Sequence, residues 1–167
     1  VDTEPLPPKR GRLTLIFLAV VAAGFLVSVL VRREPSVDAP RLELTLFDGT
    51  EFVLARQDQP VIINFWASWC TPCRREIPAL IAFWRRHPEL LVLGVATDDT
   101  DTAARAFAAE MGIDYPAGLD ESGAIADAFG VPGLPVTIAV DEQGRIVRRV
   151  FGEVGEAELE DLAAAVG

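Results

Sequence analysis

Cys70 and Cys73 are the two cysteines of this 167-residue chain, and only Thr71 and Pro72 stand between them. Thiols at that spacing can exchange electrons with another disulfide, hold a metal, or take up haem. Haem attachment needs a His directly after the second cysteine, where this chain has Arg74. Structural zinc needs four ligands, and the lone His87 cannot complete a two-Cys, two-His set. A disulfide framework for a small fold would use more cysteines at wider spacings. Dithiol–disulfide exchange is the chemistry the pair supports. A copper- or zinc-carrying dithiol module is the alternative from a different class.

The elements around the pair sharpen that reading. Val61 to Ala67 is an apolar run broken by Asn64, the pattern of a strand buried on both faces. Pro72 to Arg86 reads as a helix, and Pro72 suits its first turn because an N–H there has no intrahelical partner. Cys70 then lies at the helix N-terminus, where free N–H groups and the positive end of the dipole favour thiolate over thiol. Cys73 follows one turn deeper on the same face. Cys70 is placed to attack a disulfide and Cys73 to resolve the mixed disulfide that results.

Elsewhere Leu42, Leu44 and Leu46 alternate with polar residues before an Asp48-Gly49 turn and Phe52-Val53-Leu54, a hairpin signal. Leu90 to Ala96 reads as a second buried strand. Asp101 to Met111 and Ser122 to Phe129 read as helices. Pro135 to Val140 and Arg145 to Phe151 read as strands joined by a turn, and Glu156 to Val166 closes the chain as an amphipathic helix. The order predicts an α/β fold: a mixed central sheet flanked by helices, with an N-terminal hairpin and a central helical insert. The Asp98-Asp99-Thr100-Asp101 run is read as capping the helix that follows it. His87 is read as a helix end.

Charge and hydropathy divide the chain. Leu13 to Val31 carries no charged side chain, and at about 1.5 Å per residue such a helix spans roughly a bilayer core. Residues 13–31 are therefore expected to be a retained transmembrane anchor, with a basic segment at 1–12, a proline-stiffened linker at 32–40 and a folded domain at 41–167. Lys9, Arg10 and Arg12 precede the span, so the positive-inside rule puts that side in the cytoplasm and the domain across the membrane. The expected location is the inner or plasma membrane, single-pass, with the domain on the periplasmic side. Beyond residue 33 the chain carries ten arginines against 23 acids. That balance argues against a nucleic-acid partner, since neutralising phosphates needs clustered basic side chains.

The segment Trp66-Ala67-Ser68-Trp69-Cys70-Thr71-Pro72-Cys73, with Pro78 five residues on and Gly133-Leu134-Pro135 before an apolar strand, resembles the thioredoxin superfamily. Within it the chain is similar to the membrane-tethered extracytoplasmic group typified by the TlpA and ResA proteins, from about Ala39 to the C-terminus. The resemblance implies a thioredoxin-like fold and a cis bond before Pro135, which leaves the Leu134 backbone free to pair with a substrate chain. It places Trp69, Thr71, Pro72, Leu134 and Pro135 against substrate. Its cofactor would be the Cys70–Cys73 disulfide itself, with no metal.

Two departures from cytosolic thioredoxins bear on mechanism. Asn64 stands where they bury an Asp, and Glu76 stands three residues after the second cysteine, as in the extracytoplasmic reductases. Glu76 is expected to tune the thiols and move protons; its plain alternative is an exposed helix acid paired with an arginine. The resemblance implies a reductase of protein disulfides outside the cytoplasm, with apocytochrome c thiols as clients and a membrane thiol donor of the DsbD or CcdA type. Gly133-Leu134-Pro135-Val136 departs from the Gly-Ala-Pro-Glu of one cytochrome-maturation subgroup. A disulfide-introducing oxidase on the same fold is the alternative direction. A thiol peroxidase would need Thr three residues before the first cysteine, where Ala67 stands.

Overall fold

The computed structural model describes residues 37–167. The anchor expected at 13–31 and the basic segment before it lie outside the described residues. Among the described residues no helix is long and apolar enough to cross a membrane.

The apolar run after Gln59 forms β4 (Val61–Trp66), and every residue of it is buried. Alternation sends Ile62 and Trp66 into one core, and Val61, Ile63 and Phe65 into the other. On one side β4 pairs in parallel with β5 (Leu91–Thr97), and on the other antiparallel with β7 (Val136–Val140). The sheet is completed by β1 (Val37–Asp38), β8 (Arg145–Phe151) and β6 (Ala117–Asp120), in the order β1-β8-β7-β4-β5-β6. It is mixed, as the element order predicted.

One face is covered by α1 (Thr71–Arg86), α2 (Asp101–Met111) and α4 (Glu156–Val166), through Ile77, Leu80, Phe83, Phe107, Leu159 and Leu162. The other face is covered by the hairpin β2 (Glu43–Thr45) and β3 (Glu51–Val53), and by the short α3 (Ala124–Ala128). Leu42, Leu44, Leu46 and Phe52 point inward as their alternation required. α1 runs through Pro78, whose ring removes the hydrogen bond that Arg74's carbonyl would otherwise accept.

Three boundaries differ from the sequence reading. The segment read as a tether holds β1, where Val37 and Asp38 pair with Ile146 and Arg145, so the sheet begins before residue 41. The helical insert also contributes a strand, β6, parallel to β5. The insert's helix is shorter than Ser122–Phe129, because Gly123 enters it with a left-handed φ of 72°.

β6 is also where the hairpin meets the sheet. Phe47 N–H donates to the Ala117 carbonyl (2.7 Å), and Leu46 bridges Gly118. A Cβ on Gly118 would sit 2.4 Å from the Thr45 carbonyl oxygen and 2.9 Å from Leu44 Cγ. Gly118→Ala must therefore push the hairpin backbone away, and is expected to destabilise the protein by about 1–3 kcal/mol. Thermal unfolding identical to the parent would show instead that the hairpin is free to shift.

Candidate active site

β4 hands over to α1 through Ala67, Ser68, Trp69 and Cys70. Cys70 has extended dihedrals (φ −81°, ψ 103°) and is the N-cap of α1, with its Sγ accepting the Cys73 N–H at 3.2 Å. A sulfur at the N-cap faces the free donors of the first turn, an arrangement that stabilises negative charge on it. The two cysteines are joined in a disulfide, with Cys70 3% and Cys73 0% exposed. Beside this covered pair, the Trp69 ring is 60% exposed.

The handover loop is held from the side by the loop that follows β5. Asp99 Oδ2 accepts the Ser68 N–H at 2.6 Å, and Oδ1 accepts the Ser68 hydroxyl at 3.0 Å. Trp69 Nε1–H donates to the Asp98 carbonyl at 2.8 Å. Asp98 has φ 52°, a left-handed conformation uncommon for a residue with a side chain. Helix capping falls to Thr100, whose Oγ1 accepts the Ala103 N–H at 3.3 Å. Asp99 instead braces the cysteine loop, a role the sequence reading missed. Its signal was a carboxylate at the end of the strand next to β4, legible only once that adjacency is known.

Leu134–Pro135 is a cis peptide bond. Val136, the next residue, pairs with Phe65 of β4, so Pro135 lies at the same end of the sheet as Cys70. Pro135 is buried; Leu134 is half-buried and packs against both cores. Thr71 is exposed and Pro72 half-buried at the opening of α1. The sequence-predicted residues therefore gather at one end of the sheet.

Glu76 lies one turn beyond Cys73 and is 1% exposed. It is not a surface acid paired with an arginine. Its Oε1 accepts Asn64 Nδ2–H at 2.8 Å, and its Oε2 accepts the Val154 N–H at 3.0 Å. Arg74 and Arg75 point outward and pair with Glu110 and Glu153. Burial without a cation raises the Glu76 pKa from 4.5 to about 7; the two donated hydrogen bonds oppose the rise and the charge of Glu153 adds to it. Among the described residues no group of three or more His, Cys, Asp or Glu side chains could hold a metal ion.

The raised pKa has a consequence for stability. Between 4.5 and about 7 the unfolded chain has lost this proton while the folded chain keeps it, so stability falls as pH rises through that window. The loss is complete above the folded value and amounts to about 3 kcal/mol. Glu76→Gln removes it, so the variant should match the parent near pH 5 and exceed it near pH 8 in urea unfolding. An equal difference at both pH values would mean that Glu76 is not titrating in this range.

Known proteins bear out the fold and the chemistry. A family model described as the AhpC/TSA family matches residues 35–149. The thiol-disulfide oxidoreductase ResA of Bacillus thuringiensis subsp. konkukian is 27% identical over 133 residues, covering 78% of this chain and 77% of its own. The thiol:disulfide interchange protein HelX of Rhodobacter capsulatus is 38% identical over 128 residues, covering 75% of this chain and 66% of its own. The crystal structure of a putative thiol:disulfide interchange protein DsbE from Chlorobium tepidum superposes with a TM-score of 0.74 at 26% identity, covering 81% of this chain and 99% of that one. The fold is thus the thioredoxin-like one that the motif implied, and the Cys70–Cys73 disulfide marks a thiol–disulfide oxidoreductase. With that match spanning more than half of its length, the chain belongs to the AhpC/TSA family.

Proposed function

We propose that this oxidoreductase runs as a reductant of protein disulfides outside the cytoplasm, held at the membrane by residues 13–31. The observation that carries the proposal is the pairing of a disulfide at a helix N-cap with a buried carboxyl, Glu76, that changes charge near neutral pH. In the reduced protein the Cys70 thiolate attacks one sulfur of a client disulfide, and the other client sulfur leaves as a thiolate and takes a proton from solvent. Cys73 then gives its proton to the Glu76 carboxylate and attacks Cys70 Sγ. The client's second thiolate departs, and the Cys70–Cys73 disulfide of the structure remains. The second client thiolate takes a proton from solvent, to which Glu76 returns the Cys73 proton. The client has thus gained two electrons and two protons, and this chain has lost two electrons and the Cys73 proton.

Trp69, exposed beside the pair, and the Leu134 backbone before Pro135 offer an extended client segment an apolar platform and hydrogen-bonding groups. Thr71 and Pro72, between the two cysteines, complete the surface a client would meet. The resemblance to the TlpA and ResA group favours apocytochrome c thiols as clients. It also favours a membrane donor of the DsbD or CcdA type for recharging, which a reductant in an oxidising compartment requires. No cofactor beyond the disulfide and no metal enter this scheme.

The division of labour between the cysteines is directly testable. Reduced Cys73→Ser protein should accumulate a dithiothreitol-sensitive mixed disulfide with a peptide carrying an oxidised Cys-x-x-Cys-His motif, and turnover should fall at least about a thousandfold. Cys70→Ser should trap none. Trapping through Cys73 in the Cys70→Ser protein would reverse the two roles.

A further inference from the structure

Asn64 sits in the middle of β4 and is 0% exposed. It lies opposite Thr137 of β7 and Gly94 of β5, beneath α1. Its Nδ2 donates twice, to Glu76 Oε1 at 2.8 Å and to Thr137 Oγ1 at 3.0 Å, while its Oδ1 has no partner among the described residues. A buried amide oxygen without a donor is costly and calls for an explanation.

The two protonation states of Glu76 explain it. A carboxylate needs donors, whereas the acid form presents an O–H that needs an acceptor. The charged and titratable groups that act on Glu76 are Glu153 and Tyr115, with the disulfide-bonded Cys73 one turn earlier on its own helix, and none of them is a cation. The backbone N–H of Val154 donates to Oε2 in either state and offers no acceptor to the acid O–H. Asn64 carries a donor and an acceptor on one planar group. Half a turn of that group puts Oδ1 where Nδ2 now sits, within hydrogen-bond distance of both Glu76 Oε1 and Thr137 Oγ1. Thr137 serves either orientation, because a hydroxyl rotates to accept from Nδ2–H or to donate to Oδ1.

Gly94, the partner of Asn64 on β5, makes room for Trp66 and Tyr115. A Cβ there would lie 2.9 Å from Trp66 Nε1 and 3.1 Å from Tyr115 Cε2, and both Trp66 Nε1 and the Tyr115 hydroxyl are buried without partners.

We propose that Asn64 is a positioning residue for Glu76, its carboxamide turning over with each proton that the carboxyl takes up or gives back. The proposal rests on the reading that Glu76 moves protons during exchange. An Asp at position 64 would set a second carboxylate against the first, and the two could not both ionise. A Leu would strip the carboxylate of one of its two donors.

The test is a pH titration of the full chain in detergent micelles, following the Asn64 side-chain amide and the Glu76 carboxyl carbon by NMR. The Asn64 resonances should move between two limits with the midpoint of the Glu76 carboxyl, and should stop moving in Glu76→Gln. In Asn64→Leu the Glu76 midpoint should rise by about one pH unit, and in Thr137→Val the amide limits should change. A Glu76 carboxyl that titrates while the Asn64 amide stays fixed, or shifts with a different midpoint, overturns the proposal. The underlying reading is tested separately by the pH profile of Cys70 alkylation: if Glu76→Gln leaves that profile unchanged, Glu76 moves no proton for the thiols, whatever Asn64 does.

Discussion

The hydrogen bond from the Cys73 N–H to Cys70 Sγ is the contact on which the rest of the site depends. It makes Cys70 Sγ the cap of its own helix, so the stabilisation of a charged sulfur and the start of α1 are one interaction. For that geometry to hold, the chain must leave β4 and enter α1 within four residues. β4 is fixed by burial on both faces and by pairing with β5 and β7. α1 is fixed by Ile77, Leu80 and Phe83 packed into one core. The short loop between them is braced by Asp98 and Asp99 from the end of β5. Strand, helix and brace together leave the sulfur little freedom.

Placing a carboxyl in that core has an energetic cost, and the structure shows how it is contained. Glu76 receives two hydrogen bonds and no counter-charge, from a side chain in the middle of the sheet and from the backbone before α4. Those donors are enough to bury the group but too few to keep it ionised at every pH. A salt bridge would have held it charged, and an apolar site would have held it protonated. The intermediate result leaves the carboxyl able to gain or lose a proton near neutrality. Arg74 and Arg75 stand on either side of it in sequence, yet helical periodicity turns both outward to Glu110 and Glu153.

Much of the fold was legible because its elements are strongly patterned. The alternating leucines of the hairpin, the apolar runs of β4 and β5, and the helices α1, α2 and α4 lie close to where periodicity put them. β6 was missed because Ala117-Gly118-Leu119-Asp120 is short, contains a glycine and lacks β-branched or aromatic residues; its pairing with β5 and its closeness to the hairpin make it a strand. β1 was read as tether because two residues have no period, and only their pairing with β8 defines them. In the site, the cysteine pair follows from spacing, while Pro135 and Glu76 were marked by resemblance. Asn64 was marked only as standing in place of a buried Asp; its contact with Glu76 and the partners Thr137, Val154 and Asp99 were not legible, because each contact depends on which strands and loops lie side by side.

The central claim is that the Cys70–Cys73 pair delivers electrons to its clients. Its most direct test is the reduction potential of that pair, measured by equilibrating the protein against dithiothreitol and glutathione buffers at neutral pH. A membrane-fed reductant should fall near or below the value of about −270 mV known for thioredoxin. A value near the −120 mV or so of strong periplasmic oxidants would contradict the account, leaving fold and cysteines in place but making the chain a donor of disulfides.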